Sequence, residues 1–358
     1  MTIKVLLFSK YSRLGASSRL RSMQFIPLLE DVNVLIDPFP LFDDQYLVSL
    51  YAGKKRSKKH IALAYFKRFI SLFSSYKYDV VWIEYELFPY LPAWFEKLLK
   101  YCGVRYIVDY DDAIFHNYDL SSQYVIQKLL GKKIDAVMAS AECVVVGNSY
   151  LGERAKAANA KRIEWLPTVV DKDRYHTVNS SGSLGELVIG WIGSPSTQKY
   201  IVELKPMLQK LCVEGSCKLI LVGAQEDIVT ELEGVNVSVL PWTEATEAEI
   251  ISSFDIGIMP LHDGPWEKGK CGYKLIQYMA CAKPVVASPV GVNIDIVQDN
   301  SCGLLAISLD EWEGQVRSLL NNADLRQTYG ANGRKAVEEI YSLQAQTSKL
   351  ESILRGCV

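Results

Sequence analysis

Short apolar runs, each followed by a turn and a helical pattern, recur along the whole chain. The first, Ile3 to Phe8, is almost continuously apolar, which is typical of a strand buried on both faces of a parallel sheet. Further strands are predicted near Val34, at Tyr78–Glu84, Arg105–Val108 and Cys143–Val146, and then at 187–192, 217–223, 235–242, 254–261 and 284–287. Strands that alternate with helices predict an α/β protein built from Rossmann-like units.

The stretch from Trp266 to Gly291 combines a glycine- and lysine-rich loop, a short helix and a β-branched strand. Apolar residues recur at helical spacing over Tyr273 to Cys281, and Lys283, which precedes a proline, ends that helix. The loop follows the predicted strand Phe254 to Leu261. It therefore lies at the carboxyl end of a buried strand, where open α/β sheets bind ligands.

The start of this helix has the features of a phosphate-binding turn. Gly272 precedes the helix, and Lys270 and Lys274 flank it. Backbone N–H groups and the helix dipole at such a start can cradle a phosphate or diphosphate, and the lysines add charge. The alternative is a surface loop with solvated lysines, but its position after a buried strand favours the phosphate interpretation.

The segments FDIGIMPL and GKCGYKLIQYMACAKPVVASPVG resemble the donor-nucleotide-binding segment of glycosyltransferase family 4. Most members carry two glutamates eight positions apart here, whereas this chain has Gly269 and Gln277 at those positions. The resemblance implies that Gln277 binds the ribose hydroxyls, which a side-chain amide can do as donor and acceptor. Glu267 is the candidate substitute for the first glutamate, and Cys271 and Tyr273 are further donor-binding candidates in the same turn.

The resemblance also implies the GT-B fold, in which two Rossmann-like domains with parallel sheets face each other across a cleft. A chain of 358 residues is long enough for two domains with separate cores. The linker-like composition from Asn179 to Glu186 places the boundary at residue 179. We expect an acceptor domain at 1–178, a donor domain at 179–333, and a terminal helix from about Arg334 to Val358 that packs back on the first domain.

The overall composition excludes some function classes. A charged fraction of 22%, a hydrophobic fraction of 49% and a net charge of −2 are typical of a globular protein and do not indicate nucleic-acid binding. Eight cysteines without a Cys-x-x-Cys pair are interpreted as reduced thiols in the core. The start, MTIKVLLFSK, resembles no signal peptide, and no apolar stretch has membrane-spanning length, so we expect a cytoplasmic location.

The first strand is followed by a glycine-containing loop and a helix, as in half of a Rossmann unit. Gly15, Arg19 and Arg21 lie in this region. A simple turn with solvated arginines and a phosphate- or acceptor-binding role are equally compatible with the residues. The resemblance favours function, because the corresponding loop of the family lies across the cleft from the donor. We assign Gly15 to the donor and Arg19 and Arg21 to the acceptor side.

Acidic residues follow two neighbouring strands of the first half. Glu84 ends one strand, and Asp109, Asp111 and Asp112 crowd the end of the next. Carboxylates so close repel one another unless a cation, hydroxyls or positive neighbours compensate. A metal site, an acceptor-binding or acid–base role and simple helix capping are the alternatives. The resemblance argues against a metal, so the aspartates become catalytic candidates and Glu84 an acceptor-side candidate.

The second domain opens with another strand–loop–helix unit. Gly193 and Ser194 lie in the loop, and Lys199 follows. The loop is interpreted either as a tight connection with serine caps or as a second diphosphate contact. Ser194 stands where the family usually has an arginine. Trp242 follows a later strand, at the position where the family holds the nucleotide base, and it is otherwise a packing residue.

A basic run precedes an apolar-aromatic helix within Lys54 to Phe73. Such a segment can lie on an anionic membrane, with its cations on the headgroups and its aromatic rings in the interface. A solvated loop and a helix packed on the core explain the pattern equally well.

The function implied is retaining transfer of a hexosyl or N-acetylhexosaminyl group from a nucleoside-diphosphate sugar to a glycan or lipid-linked acceptor. The setting implied is capsule or lipopolysaccharide assembly, at the inner face of the plasma membrane, without a metal or other cofactor. Gly272, Lys274 and Lys199 are the candidates for stabilising the leaving diphosphate. The alternatives are a nucleotide-sugar epimerase, a phosphorylase, or a non-catalytic partner that only binds a nucleotide sugar.

Overall fold

The computed structural model of the protein describes residues 1–51, 57–176, 186–213 and 217–358. The chain divides into two compact units. The first contains Met1–Thr168, Gly269–Cys271 and Gln346–Val358, and the second contains Val169–Lys268 and Gly272–Ala345. The domain boundary predicted at residue 179 and the basic residues Lys54 to Arg56 lie outside the described residues. Within the described ranges, no helix combines the length and apolar character needed to cross a bilayer.

The first unit contains a parallel sheet of six strands in the order β2-β1-β3-β4-β5-β6. Its strands are β1 (Ile3–Phe8), β2 (Val34–Pro38), β3 (Val80–Glu84), β4 (Tyr106–Tyr110), β5 (Cys143–Val146) and β6 (Ile163–Trp165). All residues of β3, β4 and β5 are buried, which agrees with their continuous apolar patterns. The chain order reverses between β1 and β3, so the loops after these two strands flank the switch point at which such sheets bind ligands.

Helices surround this sheet along the described part of the first unit. They are α1 (Ala16–Arg21), α2 (Ile26–Glu30), α3 (Asp44–Tyr51), α4 (Lys58–Leu72), α5 (Trp94–Tyr101), α6 (His116–Asp119), α7 (Tyr124–Leu130), α8 (Lys133–Ser140) and α9 (Ser149–Ala157), with 3₁₀ turns at Met23–Phe25 and Ser75–Lys77. Asn148 is the N-cap of α9, since its side chain accepts a hydrogen bond from the Leu151 N–H.

The second unit contains another parallel sheet of six strands, in the order β12-β11-β10-β7-β8-β9. Its strands are β7 (Leu187–Ile192), β8 (Cys217–Val222), β9 (Val237–Leu240), β10 (Ile256–Met259), β11 (Val285–Ala287) and β12 (Gly303–Leu305). Read from β9, this is the strand order of a dinucleotide-binding Rossmann sheet, with its switch point between β7 and β10. The Gly193 loop and the segment before Gly272 follow these two strands.

The helices of the second unit pack on the faces of this sheet. They are α10 (Lys199–Val202), α11 (Lys205–Leu211), α12 (Ile228–Glu231), α13 (Glu247–Ser252), α14 (Pro265–Lys268), α15 (Tyr273–Ala280), α16 (Asn293–Asp299), α17 (Leu309–Asn321) and α18 (Ala323–Glu339), with a 3₁₀ turn at Pro195–Thr197. The last helix of the chain is α19 (Leu343–Arg355). The residues of α19 from Gln346 onward group with the first unit. There Arg355 donates hydrogen bonds to the backbone oxygens of Met1 and Val32.

Candidate functional site

The loop after β7 presents hydroxyl groups at the switch point of the second sheet. Ser194 and Thr197 form a capping box at its 3₁₀ turn, and the Ser194 and Ser196 hydroxyls are 2.9 Å apart. The serine capping that was one interpretation of this loop is therefore observed at Ser194. A turn that starts with exposed hydroxyls is also suited to contact phosphate oxygens.

Lys274 lies directly beside this loop. Its Nζ sits over the indole ring of Trp191, 4.4 Å from the centroid, and donates to the Thr197 hydroxyl at 3.5 Å. A Cβ at Gly193 would lie 2.3 Å from Trp191 Cζ2 and 2.8 Å from Lys274 Nζ. Only glycine therefore lets the lysine and the indole pack against the loop backbone. The structure brings three predicted donor residues, Gly193, Ser194 and Lys274, into one cationic corner.

The turn before α15 requires a glycine at residue 272. Gly272 has φ +68°, in the left-handed region that favours glycine, and an added Cβ would also meet Ile296 at 2.4 Å. The helix that follows starts at Tyr273, as predicted. Lys274 is the second residue of this helix, so its charge lies beside the first-turn N–H groups and the positive end of the helix dipole.

Gln277 is buried in a polar network. Its Nε2 donates to the Tyr175 hydroxyl at 3.1 Å, and that hydroxyl donates to Glu247 Oε1 at 2.9 Å. The other Glu247 oxygen accepts from the Trp242 indole N–H at 2.8 Å. Arg174 approaches the same carboxylate at 3.4 Å. Glu247 thus connects the residue predicted to hold the ribose with the residue predicted to hold the base.

Glu267 and Lys199 meet around Tyr200. The Tyr200 hydroxyl donates to Glu267 Oε1 at 2.6 Å, and Lys199 Nζ lies 5.1 Å from the centre of the same ring. Burial and this carboxylate both raise the pKa of Tyr200. Glu267 is therefore linked to the region just after the β7 loop by its hydrogen bond with Tyr200.

In the first unit, Arg21 and Asp109 form a buried ion pair. Arg21 Nη2 donates to Asp109 at 2.7 Å, and Nη1 donates to the Leu166 carbonyl at 2.7 Å. Burial is the largest influence on this aspartate and raises its pKa, while Arg21 opposes the shift. Removing one partner of such a pair would leave a buried charge uncompensated, which fits a structural role for both residues.

Glu84 is buried under the loop that follows β1. One of its oxygens accepts from the Ser18 hydroxyl at 2.6 Å and from the Lys10 N–H at 2.9 Å. The other oxygen has no hydrogen-bond partner among the described residues. Burial raises the pKa of Glu84 to about 7. This carboxyl group is therefore expected to titrate well above the usual range of a glutamate.

Asp111 and Asp112 remain partly exposed at the end of β4. Asp111 accepts a short hydrogen bond from the Tyr85 hydroxyl, which also contacts the Ser17 hydroxyl at 2.9 Å. Burial raises the pKa of Asp112 to about 6, and the nearby Lys270 opposes that shift. The three aspartates thus separate into one ion-paired residue and two that border solvent. Among the described residues, no group of three or more His, Cys, Asp or Glu side chains could hold a metal ion.

The turn at residues 269–271 packs within the first unit. Asn148 Nδ2 donates to the carbonyls of Gly269 and Lys270 at 2.7 and 2.9 Å. A Cβ at Gly147 would lie 2.3 Å from Cys271 Sγ, and a Cβ at Gly269 would lie 2.4 Å from the Ala113 Cβ. Lys270 and Cys271, predicted to bind the donor together with Lys274, are thus grouped with the aspartates of β4 instead.

The loop after β1 is closely packed. A Cβ at Gly15 would lie 2.4 Å from Tyr11 Cβ, so the residue must be glycine for the loop to fold on that ring. Arg19 is buried and donates to the Arg13 carbonyl at 3.3 Å. The structure thus places Arg19 against the backbone of its own loop.

Three residues of these arrangements were not identified from the sequence: Trp191, Tyr175 and Glu247. Trp191 ends β7 directly before the glycine loop, and this position could have identified it. Tyr175 and Glu247 carry no such signal, because their hydrogen bonds join residues 72 and 102 positions apart along the chain.

The comparisons with known proteins show which proteins this chain resembles. The family model of the glycosyl transferases group 1 matches residues 186–322, which include β7, the Gly193 loop and α15. The chain is 25% identical over 193 residues to the capsular polysaccharide biosynthesis glycosyltransferase CapM of Staphylococcus aureus, over 51% of this chain and 48% of CapM. The chain thus spans about half the length of this curated relative, and less of another.

Solved structures share the fold over nearly the whole chain. Sucrose-phosphate synthase of Thermosynechococcus elongatus superposes with a TM-score of 0.76 at 16% identity, over 99% of this chain and 98% of that one. HepE of Anabaena, solved in complex with UDP and glucose, gives a TM-score of 0.68 at 16% identity, over 99% and 100%. The resemblance to the glycosyltransferases and the GT-B class of two Rossmann-like α/β domains are confirmed.

Proposed function

We propose that this protein is a retaining glycosyltransferase that moves a hexosyl or N-acetylhexosaminyl group from a nucleoside-diphosphate sugar to a glycan or lipid-linked acceptor. The observation that carries the proposal is the cationic corner of Lys274, Trp191 and the Gly193 loop at the switch point of the second sheet. The family match covers this corner, and HepE was solved with UDP and glucose. The name of CapM supports cell-surface polysaccharide as the product.

The reaction breaks the bond between the anomeric carbon and the diphosphate oxygen and forms a bond from that carbon to an acceptor hydroxyl. The leaving diphosphate gains negative charge, and the acceptor hydroxyl gives up its proton. Lys274, the start of α15 and the hydroxyls of the Gly193 loop would stabilise the leaving group, because their charge and dipoles are already oriented. Lys199 would add charge at the same loop. Glu247 would fix the Trp242 ring for the base and, through Tyr175, Gln277 for the ribose.

On the acceptor side, the two solvent-bordering carboxylates, Asp111 and Asp112, are the proposed groups. Asp112, with a pKa raised to about 6, can accept a proton near neutral pH, which a carboxylate of ordinary pKa does less readily. The buried Asp109 and Arg21 would instead support the loop that carries them. No metal enters this proposal, so we expect a chelator to leave the transfer unchanged.

A two-stage experiment tests the proposal. Thermal shifts with UDP-, GDP- and dTDP-sugars identify the donor, since a ligand of the folded state raises its melting temperature. Release of nucleoside diphosphate is then measured with and without glycan acceptors. Acceptor-dependent release is expected, with loss on Lys274→Ala and no change on Lys335→Ala, an exposed lysine of α18. Release without any acceptor would instead indicate an epimerase, and binding without release would indicate a non-catalytic partner.

A further inference from the structure

Two helices of the first unit have an unusual distribution of polar and apolar residues. On α4, Arg68 is 1% exposed, while Phe66 is 60% exposed. On α5, Glu96 is 1% exposed, while Trp94 is 68% exposed. A surface helix of a globular protein normally turns its apolar stripe to the core and its charges to water. Both helices bury apolar residues, such as Ala64 on α4 and Leu99 on α5, but each also turns one charge inward and large apolar residues outward.

The inward charges fix the orientation of the two helices. Arg68 Nη2 donates to the carbonyls of Ser9 and Phe39 at 2.6 and 2.9 Å. Glu96 accepts from the Leu87 N–H at 2.9 Å. Because breaking these buried bonds would leave polar groups unsatisfied, neither helix can rotate to bury its aromatic residues.

The outward residues form one continuous stripe on each helix. On α4 and its C-cap, Leu63, Phe66, Ile70 and Phe73 follow one another at spacings of three and four residues, and all are exposed. On α5, Trp94, Leu98 and Tyr101 do the same. The rings of Phe69 and Phe95 meet at 5.9 Å, so the helices are neighbours. We call this surface the two-helix face.

The segments that carry the two-helix face have exposed charges of one sign. Residues 57–77 contain no Asp or Glu, and residues 89–105 contain only the buried Glu96. The exposed cations of these segments are Lys58, Lys59, Lys67, Lys77, Lys97, Lys100 and Arg105. Like charges would repel if two copies met face to face. An aromatic surface among lysines is instead complementary to an anionic lipid bilayer.

We propose that the two-helix face docks this protein on an anionic bilayer, with Phe66, Ile70 and Trp94 in the interfacial layer and the lysines on lipid headgroups. The surface goes beyond the basic segment at 54–73, because Trp94, Leu98 and Tyr101 of α5 are part of it. This inference deepens the proposed function, on which it rests for the lipid-linked acceptor, since docking would bring the first unit to that acceptor.

Sedimentation with vesicles tests the proposal. The full-length protein is mixed with vesicles of phosphatidylcholine alone and of phosphatidylcholine with phosphatidylglycerol. We expect at least about tenfold tighter partitioning to the anionic vesicles, and weakening by salt. The double variant Phe66→Ser with Trp94→Ser should lose about tenfold or more, because two interfacial aromatic residues are removed. The matched control is Val229→Ser with Ile307→Ser, two exposed apolar residues of the second unit, and should stay within about twofold of wild type.

A second variant covers the case in which the aromatic changes disturb folding. Lys67→Gln with Lys97→Gln alters only exposed side chains and should still reduce anionic-vesicle binding. Equal sedimentation with both vesicle types would overturn the proposal, as would an equal loss in the control. The proposal would also be overturned if the protein bound no vesicles and formed a dimer that the double variant Phe66→Ser with Trp94→Ser dissociated. That result would identify the two-helix face as a contact between copies. Nucleotide titrations on the same samples separate this outcome from failure of the proposed function.

Discussion

Replacing Gln277 by glutamate, the residue usual at this position in the glycosyltransferases that this segment resembles, should lower the free energy of unfolding of this protein. In the wild type, Gln277 donates to Tyr175, and Tyr175 donates to Glu247. After Gln277→Glu, two carboxylates compete for the single hydroxyl proton of Tyr175. One of them then loses a hydrogen bond in a site where water cannot replace it, since Tyr175 and Glu247 are both at most 2% exposed.

The size of the effect follows from the distances. The two hydrogen bonds, of 3.1 and 2.9 Å, keep the competing groups within about 6 Å of each other. Two charges at that distance repel by about 3 kcal/mol at an effective dielectric constant of about 20. The introduced carboxyl group can avoid this repulsion by binding a proton. For a glutamate of ordinary pKa, protonation costs about 4 kcal/mol at pH 7 and about 1 kcal/mol at pH 5. We therefore expect a loss of about 3 to 4 kcal/mol at pH 7.

The pH dependence has a definite sign. The introduced group would have a folded-state pKa above its unfolded value, so the variant is most stable below the unfolded pKa and loses stability as the pH rises through the folded one. Thermal unfolding between about pH 5 and 8 measures this. The double variant Gln277→Glu with Glu247→Gln reverses the polarity: the new amide donates to Tyr175 and accepts from Trp242, while Tyr175 donates to the new carboxylate. It should recover most of the stability. A single variant as stable as wild type at pH 7, or no recovery in the double, would refute the reasoning.

Three further predictions concern single residues. Lys274→Ala should lower kcat at least as much as it raises KM, because its contact with the diphosphate strengthens as charge develops; steady-state kinetics decide this. Gly193→Ala should reduce nucleotide affinity at least about tenfold by displacing Trp191 and Lys274, whereas Gly314→Ala, where an added Cβ meets nothing within 4 Å, should not; titration calorimetry compares them. Glu84 has a pKa raised to about 7, so the stability it contributes is present at low pH and lost as the pH rises through 7; Glu84→Gln should flatten unfolding curves measured across that range.

The strands were predictable because their signal is local. Ile3–Phe8 and Cys143–Val146 are observed with the bounds that the apolar runs predict, since strands buried on both faces need apolar residues on both. The edge strand β6, at Ile163–Trp165, was not predicted. It has three residues that are exposed or half-buried, so little apolar patterning distinguishes it from a loop.

The candidate site was predictable in outline and not in its pairings. Gly193, Gly272 and Lys274 could be named because a glycine loop and a helix start follow buried strands, which chain order alone reveals. The different roles of Asp109 and its two neighbours could not be predicted, because they depend on an ion pair with Arg21, 88 residues earlier in the chain. The three carboxylates are chemically alike in sequence, and only the fold decides which one meets a guanidinium.

The helix α4 shows most clearly why a periodic pattern does not by itself orient an element. Its sequence is apolar on several sides, so an apolar stripe toward the core and the observed arrangement agree equally well with the spacing. What decides is the buried guanidinium of Arg68, which donates to the backbone carbonyls of Ser9 and Phe39 and would lose both acceptors if the helix rotated. Keeping these hydrogen bonds turns the phenylalanines outward. The exposed apolar surface of the first unit therefore follows from a hydrogen-bond requirement in its interior, and the two segments that carry it contain no exposed Asp or Glu that would oppose an anionic surface.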